Sequence, residues 1–540
     1  MSLYRFASAT VALLLVAGCV SEDPENPEYW IKQLKSVRRA EAIKMLGTMA
    51  AAGGEKGKVA MTAVPKLLKL YEADKARSEI IPTLIQMKAQ GPEVTALMAT
   101  AITDANEMQA AAAAADYLAD TGAKDKTKEL LAVLDTAMED EVKAASLRAL
   151  VKFADPATVN DLVRVLDRGV DRQWIHLNAL ACQALGAIGP PAANSALPSL
   201  VRGIFLRDKF NRMAFRDCAV ALLRFGAPAG QALTNAIEGK DPELTKWSLG
   251  QGHVDGLIAE EAAKVLGLMG YKDAVPALVK QLVVRYEAPP KYDAKKAQIW
   301  AMIEAQRFQN AVEALGRIGD PRAIKPLSKW LFEGEYLRRI RVPVAINFIG
   351  DPAGVPELVK AATKAIVEGL GWFRIDVAEQ LGYLAGAGDV AALERLVPIL
   401  EKMRKELEEY KAADPAAAGG WLGKLDGFKA QIAALKECQV KAPCWTTRLE
   451  DKLAIVRNQA VWNLSRLTAG DPKALEALLG KVGSDDFILR NTVLDALPKV
   501  CDKRCLDIIE KVKKKEAGKA RYKGFRDRFL FVMTQIAAKG

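Results

Sequence analysis

Apolar residues recur along the chain at spacings of three and four, and residues 311–331 show the pattern most clearly. The first nine of these residues put Ala, Val, Leu and Ile on one side of a helix, which Gly319 can end in a left-handed conformation. Asp320 can cap the next helix, and Pro321 suits its first turn because no hydrogen bond is lost there. The second buried face consists of Ala323, Ile324, Leu327, Trp330 and Leu331. This pattern predicts two helices joined by a tight turn.

The same two-helix unit recurs through most of the chain. Further copies lie at 150–165, 184–201, 262–279, 344–358 and 460–479. One helix pair cannot bury its apolar stripe alone, whereas a row of pairs forms a continuous core. Half of all residues are hydrophobic but only 6% are aromatic, as small-residue helix packing requires. The pattern therefore predicts an all-α solenoid.

The turn sequences carry a family resemblance. Ala314-Leu315-Gly316-Arg317-Ile318-Gly319-Asp320 and Ala274-Val275-Pro276-Ala277-Leu278 resemble HEAT repeats, in the short subtype also found in phycobilisome lyases. The resemblance covers residues 136–392 and 448–500, with weaker copies at 40–70 and 87–134. It implies an α-α superhelix of the HEAT/armadillo type, and it says almost nothing about function.

The amino terminus has the order of an export signal. Arg5 precedes an apolar run at 11–16, which ends in Val16-Ala17-Gly18-Cys19. These four residues resemble the lipobox of bacterial lipoproteins, which implies that Cys19 is the first mature residue and carries the lipid. Val20, where inner-membrane lipoproteins often have Asp, favours the outer membrane with the protein facing the periplasm. The alternative is a cytoplasmic protein whose apolar start packs on its first helix.

Six segments follow from these patterns. We predict a lipoprotein signal peptide at 1–18, a flexible tether at 19–30, divergent helical repeats at 31–135, a HEAT-repeat core at 136–392, an extended helical hairpin insertion at 393–447, and HEAT-like repeats with a basic end at 448–540. The hairpin is expected to project from the body, unless it is simply an elongated repeat. A longer loop at 284–293 contains Tyr286, Pro289, Pro290 and Tyr292, and serves either as a contact patch or as loop packing.

The cysteines agree with export. Cys438 with Cys444 and Cys501 with Cys505 form close pairs, which are typical of disulfides in an oxidising compartment. A metal site is the alternative, but the chain has only two histidines and both are distant in sequence from these pairs. Cys182 and Cys218 lie inside apolar helical runs and are expected to be buried free thiols.

No catalytic motif appears in the sequence, so we expect no catalysis, no cofactor and no bound metal. The net charge is +11, and between residues 503 and 528 Lys and Arg number eleven against four Asp and Glu. This excess suits anionic lipid, wall polymer or an acidic protein, although solvated helix ends are the simpler reading. We expect no nucleic acid as a partner, because the protein is predicted to be exported and because basic and aromatic residues do not alternate. The candidate basic patch comprises Lys513, Lys514, Lys515, Arg521, Lys523, Arg526 and Arg528.

Three functions compete on this basis. The leading hypothesis is a lipid-anchored scaffold of the bacterial cell envelope, which binds a protein partner or an envelope component through its helical groove. The second is a lyase-like enzyme acting on a bound chromophore, by analogy with the resembled family. The third is a structural spacer between membrane and cell wall.

Overall fold

A computed structural model describes residues 23–539, with gaps at 74, 76, 105–107, 138, 170–173, 252–256, 285–293, 334–338, 365–372, 412–413 and 520–523. The regular secondary structure of the described residues is helical, apart from one isolated antiparallel bridge between Arg207 and Met213. The chain divides into unit 1, Met1–Ile188, and unit 2, Gly189–Gly540. The predicted all-α superhelical fold is confirmed.

Unit 1 is a two-layered row of short helices. Its helices are α1 Pro27–Gln33, α2 Arg39–Ala52, α3 Gly54–Met61, α4 Val64–Glu72, α5 Arg77–Gln86, α6 Pro92–Ala101, α7 Met108–Thr121, α8 Thr127–Thr136, α9 Asp140–Phe153, α10 Val159–Asp167 and α11 Ile175–Ile188. Helices α2, α5, α7, α9 and α11 pack each on the next, while α4, α6, α8 and α10 form the second layer. Helix α1 begins inside the predicted tether, where Trp30 is already buried.

Ion pairs join neighbouring helices of this row. Arg148 of α9 lies 2.9 Å from Asp116 of α7, and Lys152 lies 2.5 Å from Asp120 one turn further on. Each partly exposed pair contributes only about 0–1 kcal/mol. The apolar contacts between helices therefore hold the row together, and the ion pairs favour one register.

Unit 2 contains longer helices and most of the chain. They are α12 Ala193–Gly203, α13 Phe215–Phe225, α14 Ala227–Ile237, α15 Pro242–Gly250, α16 Leu257–Met269, α17 Val275–Val283, α18 Ala294–Ile318, α19 Ile324–Lys329, α20 Val342–Ile349, α21 Gly354–Thr363, α22 Phe373–Leu384, α23 Val390–Tyr410, α24 Pro415–Cys438, α25 Ala442–Arg448, α26 Ala454–Leu467, α27 Pro472–Gly480, α28 Phe487–Val500, α29 Leu506–Glu516 and α30 Arg526–Ala538.

The turn chemistry predicted for residues 311–331 is present in the structure. Gly319 has φ 72°, and the side chain of Asp320 accepts a hydrogen bond from the amide of Arg322 at 2.9 Å. Asp155 and Asp471 accept amide hydrogen bonds in the same way at their own turns. The helix that ends at this turn is longer than predicted, because α18 already begins at Ala294.

The inner helices of unit 2 form a closed ring. Helices α13, α16, α18, α20, α22, α26, α28 and α30 pack each on the next, and α30 then packs on α13. Phe529, Val532 and Ile536 of α30 are buried. Polar contacts accompany this closure, since Arg216 pairs with Asp527 at 3.3 Å and the Gln535 amide donates to the carbonyl of Leu268. The inner face of unit 2 is consequently enclosed by its own helices and is not an open groove.

The predicted hairpin insertion is a helix pair, α23 and α24, but its second helix does not project. Lys424 of α24 binds Asp376 at 2.6 Å and Glu379 at 2.9 Å on α22. Gln431 is fully buried and donates to the backbone carbonyl of Glu379. The projecting arrangement expected from the sequence is therefore wrong for α24, because its polar residues find partners on the body.

Small residues set the spacing of neighbouring inner helices. A Cβ atom on Gly267 would lie 2.7 Å from the Cα of Ala314, and one on Gly316 would lie 2.8 Å from the Cα of Ala345. Real Cβ atoms do not approach backbone atoms so closely, so these two glycines allow α16, α18 and α20 to pack at short range.

We predict that Gly316→Ala destabilises unit 2 by about 1–3 kcal/mol, because α18 and α20 must move apart. The matched control is Gly423→Ala in the exposed part of α24, where a Cβ meets nothing within 4 Å. There alanine should stabilise the helix by about 0.5–1 kcal/mol. Thermal unfolding followed by circular dichroism measures both, and equal midpoints for the two variants would contradict the packing argument.

Candidate functional site

The carboxyl ends of several inner helices of unit 2 meet around one cavity of about 600 Å³. Helices α13, α16 and α18 reach it with their closing residues Gly226, Gly270 and Gly319, all of positive φ. The last turns of α28 and α30 complete the wall through Pro498 and Ala538. A cavity of this size accommodates a small molecule.

Four cations line this cavity, and we call it the basic cavity. They are Lys272, Arg317, Lys499 and Lys539, and the described lining residues include no carboxylate. Helix carboxyl ends carry partial negative charge, so cations are favourable there even without a ligand. Positive charge at this place therefore does not by itself indicate a binding site.

Arg317 already has protein partners. Its guanidinium lies 2.8 Å from Glu313 and 3.5 Å from Asp495. Burial opposes the charge of Arg317, yet the two carboxylates raise its pKa above the ordinary value. Asp495 also pairs with Arg528 at 2.5 Å. Arg317 is thus held charged by neighbouring acids, and a ligand is not needed to explain it.

Lys539 and Arg466 also have acceptors. Lys539 donates to the backbone carbonyl of Pro498, and burial lowers its pKa. Arg466 donates to the carbonyl of Tyr383 and to the Asn463 side chain, each at 3.0 Å. Burial lowers the pKa of Arg466 to about 10. Both side chains therefore satisfy backbone or amide oxygens at the ends of helices.

Lys499 differs from these cations. Its ammonium donates no hydrogen bond to any residue that the structure describes, and its nearest aromatic rings are Trp462 at 5.6 Å and Phe348 at 6.0 Å. The side chain is accessible to water inside the cavity. Even so, desolvation by the surrounding protein atoms lowers the pKa of Lys499 to about 8. The carboxylate of Asp495 opposes this shift, whereas the neighbouring cations Arg466, Arg317 and Lys539 add to it.

Unit 1 has a smaller and more apolar cavity of about 380 Å³ beside α4 and α6. Its polar lining consists of Gln90 and Glu93, and both are exposed. The apolar lining residues are Met61, Val64, Pro65, Leu68, Ala89, Pro92 and Val94. Such a surface accommodates an apolar side chain better than a charged ligand.

The described members of the predicted basic patch have different surroundings. Lys514 and Lys515 are exposed on the last turn of α29, whereas Lys513 pairs with Glu510 at 2.9 Å. Arg528 pairs with Asp495 at 2.5 Å, and Arg526 pairs with its neighbour Asp527 at 3.2 Å. Several predicted residues lie outside the described part of the chain: Cys19, Tyr286, Pro289, Pro290, Tyr292, Arg521 and Lys523.

Both predicted cysteine pairs lie at disulfide distance. The Cα atoms are 5.2 Å apart for Cys438 and Cys444, and 5.9 Å apart for Cys501 and Cys505. Cys182 and Cys218 are buried as expected. Each of them nevertheless takes part in a disulfide, so the interpretation of these two as free thiols is wrong.

The described residues offer little for other chemistry. Among them, no three His, Cys, Asp or Glu side chains gather as a metal ion would require. No helix in this part of the chain is long and apolar enough to cross a membrane.

Sequence reasoning missed the cations of the basic cavity. Lys272 follows the turn at Gly270, Arg317 precedes the turn at Gly319, and Lys499 and Lys539 lie at helix carboxyl ends. A basic residue near the turn that ends a helix is the sequence signal that these cations share, but such residues are common in helical proteins and do not indicate a cavity. These cations come together because α30 packs on α13, and no local sequence pattern predicts that contact.

Comparison with known proteins agrees with this architecture. Residues 309–329 match the family model described as PBS lyase HEAT-like repeat. The chain thus contains a HEAT-like repeat in this segment. Kap121p bound to the extreme C-terminus of the protein phosphatase Cdc14p is similar in structure, with a TM-score of 0.52 and 12% identity, covering 94% of this chain and 57% of Kap121p.

Other solved structures are similar at lower scores. Kap121p alone has a TM-score of 0.48 at 12% identity, covering 94% of this chain and 58% of its own. Importin beta in an ammonium sulfate condition has a TM-score of 0.44 at 12% identity, covering 92% of this chain and 66% of its own. This chain thus spans less than two thirds of the length of these proteins, and the likeness concerns the fold. No curated protein matches it in sequence.

We predict that Lys499→Met raises the thermal midpoint at pH 7. Lysine has a pKa of about 10.4 in an unfolded chain, against about 8 in the folded protein, so below pH 8 the folded state bears the full cost of the charge. Between pH 8 and about 10.4 only the folded state releases the proton, so the wild-type protein gains stability with pH and the advantage of the variant shrinks.

The facing groups Asp495, Arg317, Arg466 and Lys539 are present in both proteins, so the difference between the two midpoints isolates Lys499. Lys405→Met, on the exposed face of α23, serves as the control and should show no such pH dependence. A midpoint difference that stays constant from pH 7 to pH 10.5 would disprove the assignment.

Proposed function

We propose that this HEAT-repeat protein is a scaffold of the bacterial cell envelope, anchored by a lipid on Cys19, which binds a protein partner and performs no catalysis. The observation that carries the proposal is the stacked-helix fold, because a row of helix pairs presents a long, rigid face for binding. The similar structure of Kap121p is of a protein bound to the terminus of another protein, which supports the same use of the fold here.

Unit 1 is the better candidate for the partner-binding surface. Its helices form a row, whereas the inner helices of unit 2 enclose their own face. The apolar cavity beside α4 and α6 suits one apolar side chain of a partner, and the exposed Glu93 and Gln90 lie beside it. Apolar anchors in pockets contribute most of the affinity of protein interfaces.

The partner hypothesis predicts a position-specific crosslink in cells. A photoreactive amino acid at Glu93 should capture one envelope protein, because Glu93 borders the apolar cavity. The same amino acid at Lys405, which is 86% exposed on α23, is the control and should not capture it. Mass spectrometry identifies the products. Identical products from both positions, or none from Glu93, would argue against the scaffold function.

The lipid anchor has a separate test. Cys19→Ala should release the protein from the membrane fraction into the soluble fraction, because acyl chains are attached through the cysteine sulfur and provide stable anchoring. Fractionation without detergent measures the distribution, and Ser21→Ala beside it serves as the matched control. If the Cys19 variant still sediments with membranes, the protein is not held by this lipid.

A further inference from the structure

The basic cavity has an excess of positive charge that the protein itself does not neutralise. Arg317 is paired with Glu313, and Lys539 is bonded to the carbonyl of Pro498. Lys499 has no hydrogen-bond acceptor among the described residues, although it lies in a cavity of about 600 Å³ that admits water. Lys272 is exposed in the same wall.

Hydrogen bonds within the described part of the protein do not account for Lys499, whose ammonium contacts the rings of Phe348 and Trp462. Cations at helix carboxyl ends are favourable when they bond the free carbonyl groups, as Lys539 does. Lys499 makes no such bond, and its neighbours Arg466, Arg317 and Lys539 carry the same charge. The nearby carboxylate of Asp495 already binds Arg317 and Arg528. An acceptor from outside the protein would complete this arrangement.

We propose that the basic cavity of unit 2 binds a phosphate group, with Lys499 as its principal ligand and Lys272, Arg317 and Lys539 around it. These four cations come from four separate elements: the turn after α16, the end of α18, the end of α28 and the end of α30. Cations placed around a cavity in this way suit a compact polyanion. The inference goes beyond the scaffold function and does not depend on export or on lipid anchoring.

The bound phosphate restores the balance of charge in the cavity. Its oxygens accept hydrogen bonds from the Lys499 ammonium, which favours the charged lysine, and they offset the repulsion from Arg466 and Lys539. Binding should therefore weaken as the pH rises above 8 and Lys499 loses its proton. It should also weaken as the salt concentration increases, since the interaction is electrostatic.

The test is calorimetric titration of the full chain with inorganic pyrophosphate at pH 7 and low salt. We expect saturable binding at one site, and an affinity at least tenfold lower for Lys499→Met. Lys405→Met, in an exposed position outside the cavity, should bind as the wild type does. Pyrophosphate should raise the thermal midpoint of the wild type and of Lys405→Met but not that of Lys499→Met, whose own unfolding transition shows that it is folded.

Two results would overturn the proposal. One is the absence of saturable binding to the wild type, or binding no stronger than that of chloride at equal ionic strength. The other is equal affinity of the Lys499 and Lys405 variants, which would place the pyrophosphate elsewhere on this basic protein.

The phosphate group belongs either to a soluble compound or to a lipid headgroup, and vesicles distinguish the two. The Cys19→Ala chain, which has no acyl anchor, is mixed with phosphatidylglycerol vesicles and floated. Flotation that pyrophosphate abolishes, and that Lys499→Met lacks, assigns the phosphate to a lipid headgroup. Pyrophosphate binding without flotation assigns it to a soluble compound.

Discussion

The packing of the last helix, α30, against the first inner helix of unit 2, α13, is the constraint on which the rest of that unit depends. Burial of Phe529, Val532 and Ile536 contributes about 1.5–3 kcal/mol for each side chain. The accompanying ion pair between Arg216 and Asp527 is partly exposed and contributes about 0–1 kcal/mol. Apolar burial therefore closes the ring, and the polar contacts determine how α30 is placed along α13.

Closure changes what the repeats present to solvent. A row of helix pairs leaves its inner face open along its whole length, as in a solenoid. In unit 2 the inner helices instead surround their own face, and the carboxyl ends of α13, α16, α18, α28 and α30 come together. Their partial negative charges favour cations, in agreement with the Lys and Arg residues, and the absence of acids, among the described lining residues of the cavity.

Local sequence patterns predicted the local structure well. The positive φ of Gly319 and the capping by Asp320 follow from steric and hydrogen-bonding rules that act over a few residues. The start of α18 at Ala294 and the docking of Lys424 on α22 were not predicted, because both depend on neighbours distant in sequence. Burial of Cys182 was predicted from its apolar run, whereas its disulfide depends on the position of another cysteine.

The basic cavity was unpredictable for the same physical reason. Each cation is an ordinary residue near a helix end, and only the return of α30 to α13 brings Lys539 and Lys499 near Lys272 and Arg317.

Among these cations, Lys499 differs in having no hydrogen-bond acceptor among the described residues. Arg317 and Lys539 are satisfied by oxygens of the protein, so their charges contribute to holding the helix ends together. The folded protein bears a cost for the charge of Lys499, as its lowered pKa shows. An uncharged side chain of similar length would fill the same space without that cost. What suits a ligand is the geometry: a charged group in a water-accessible cavity, with no hydrogen-bond acceptor among the residues that the structure describes.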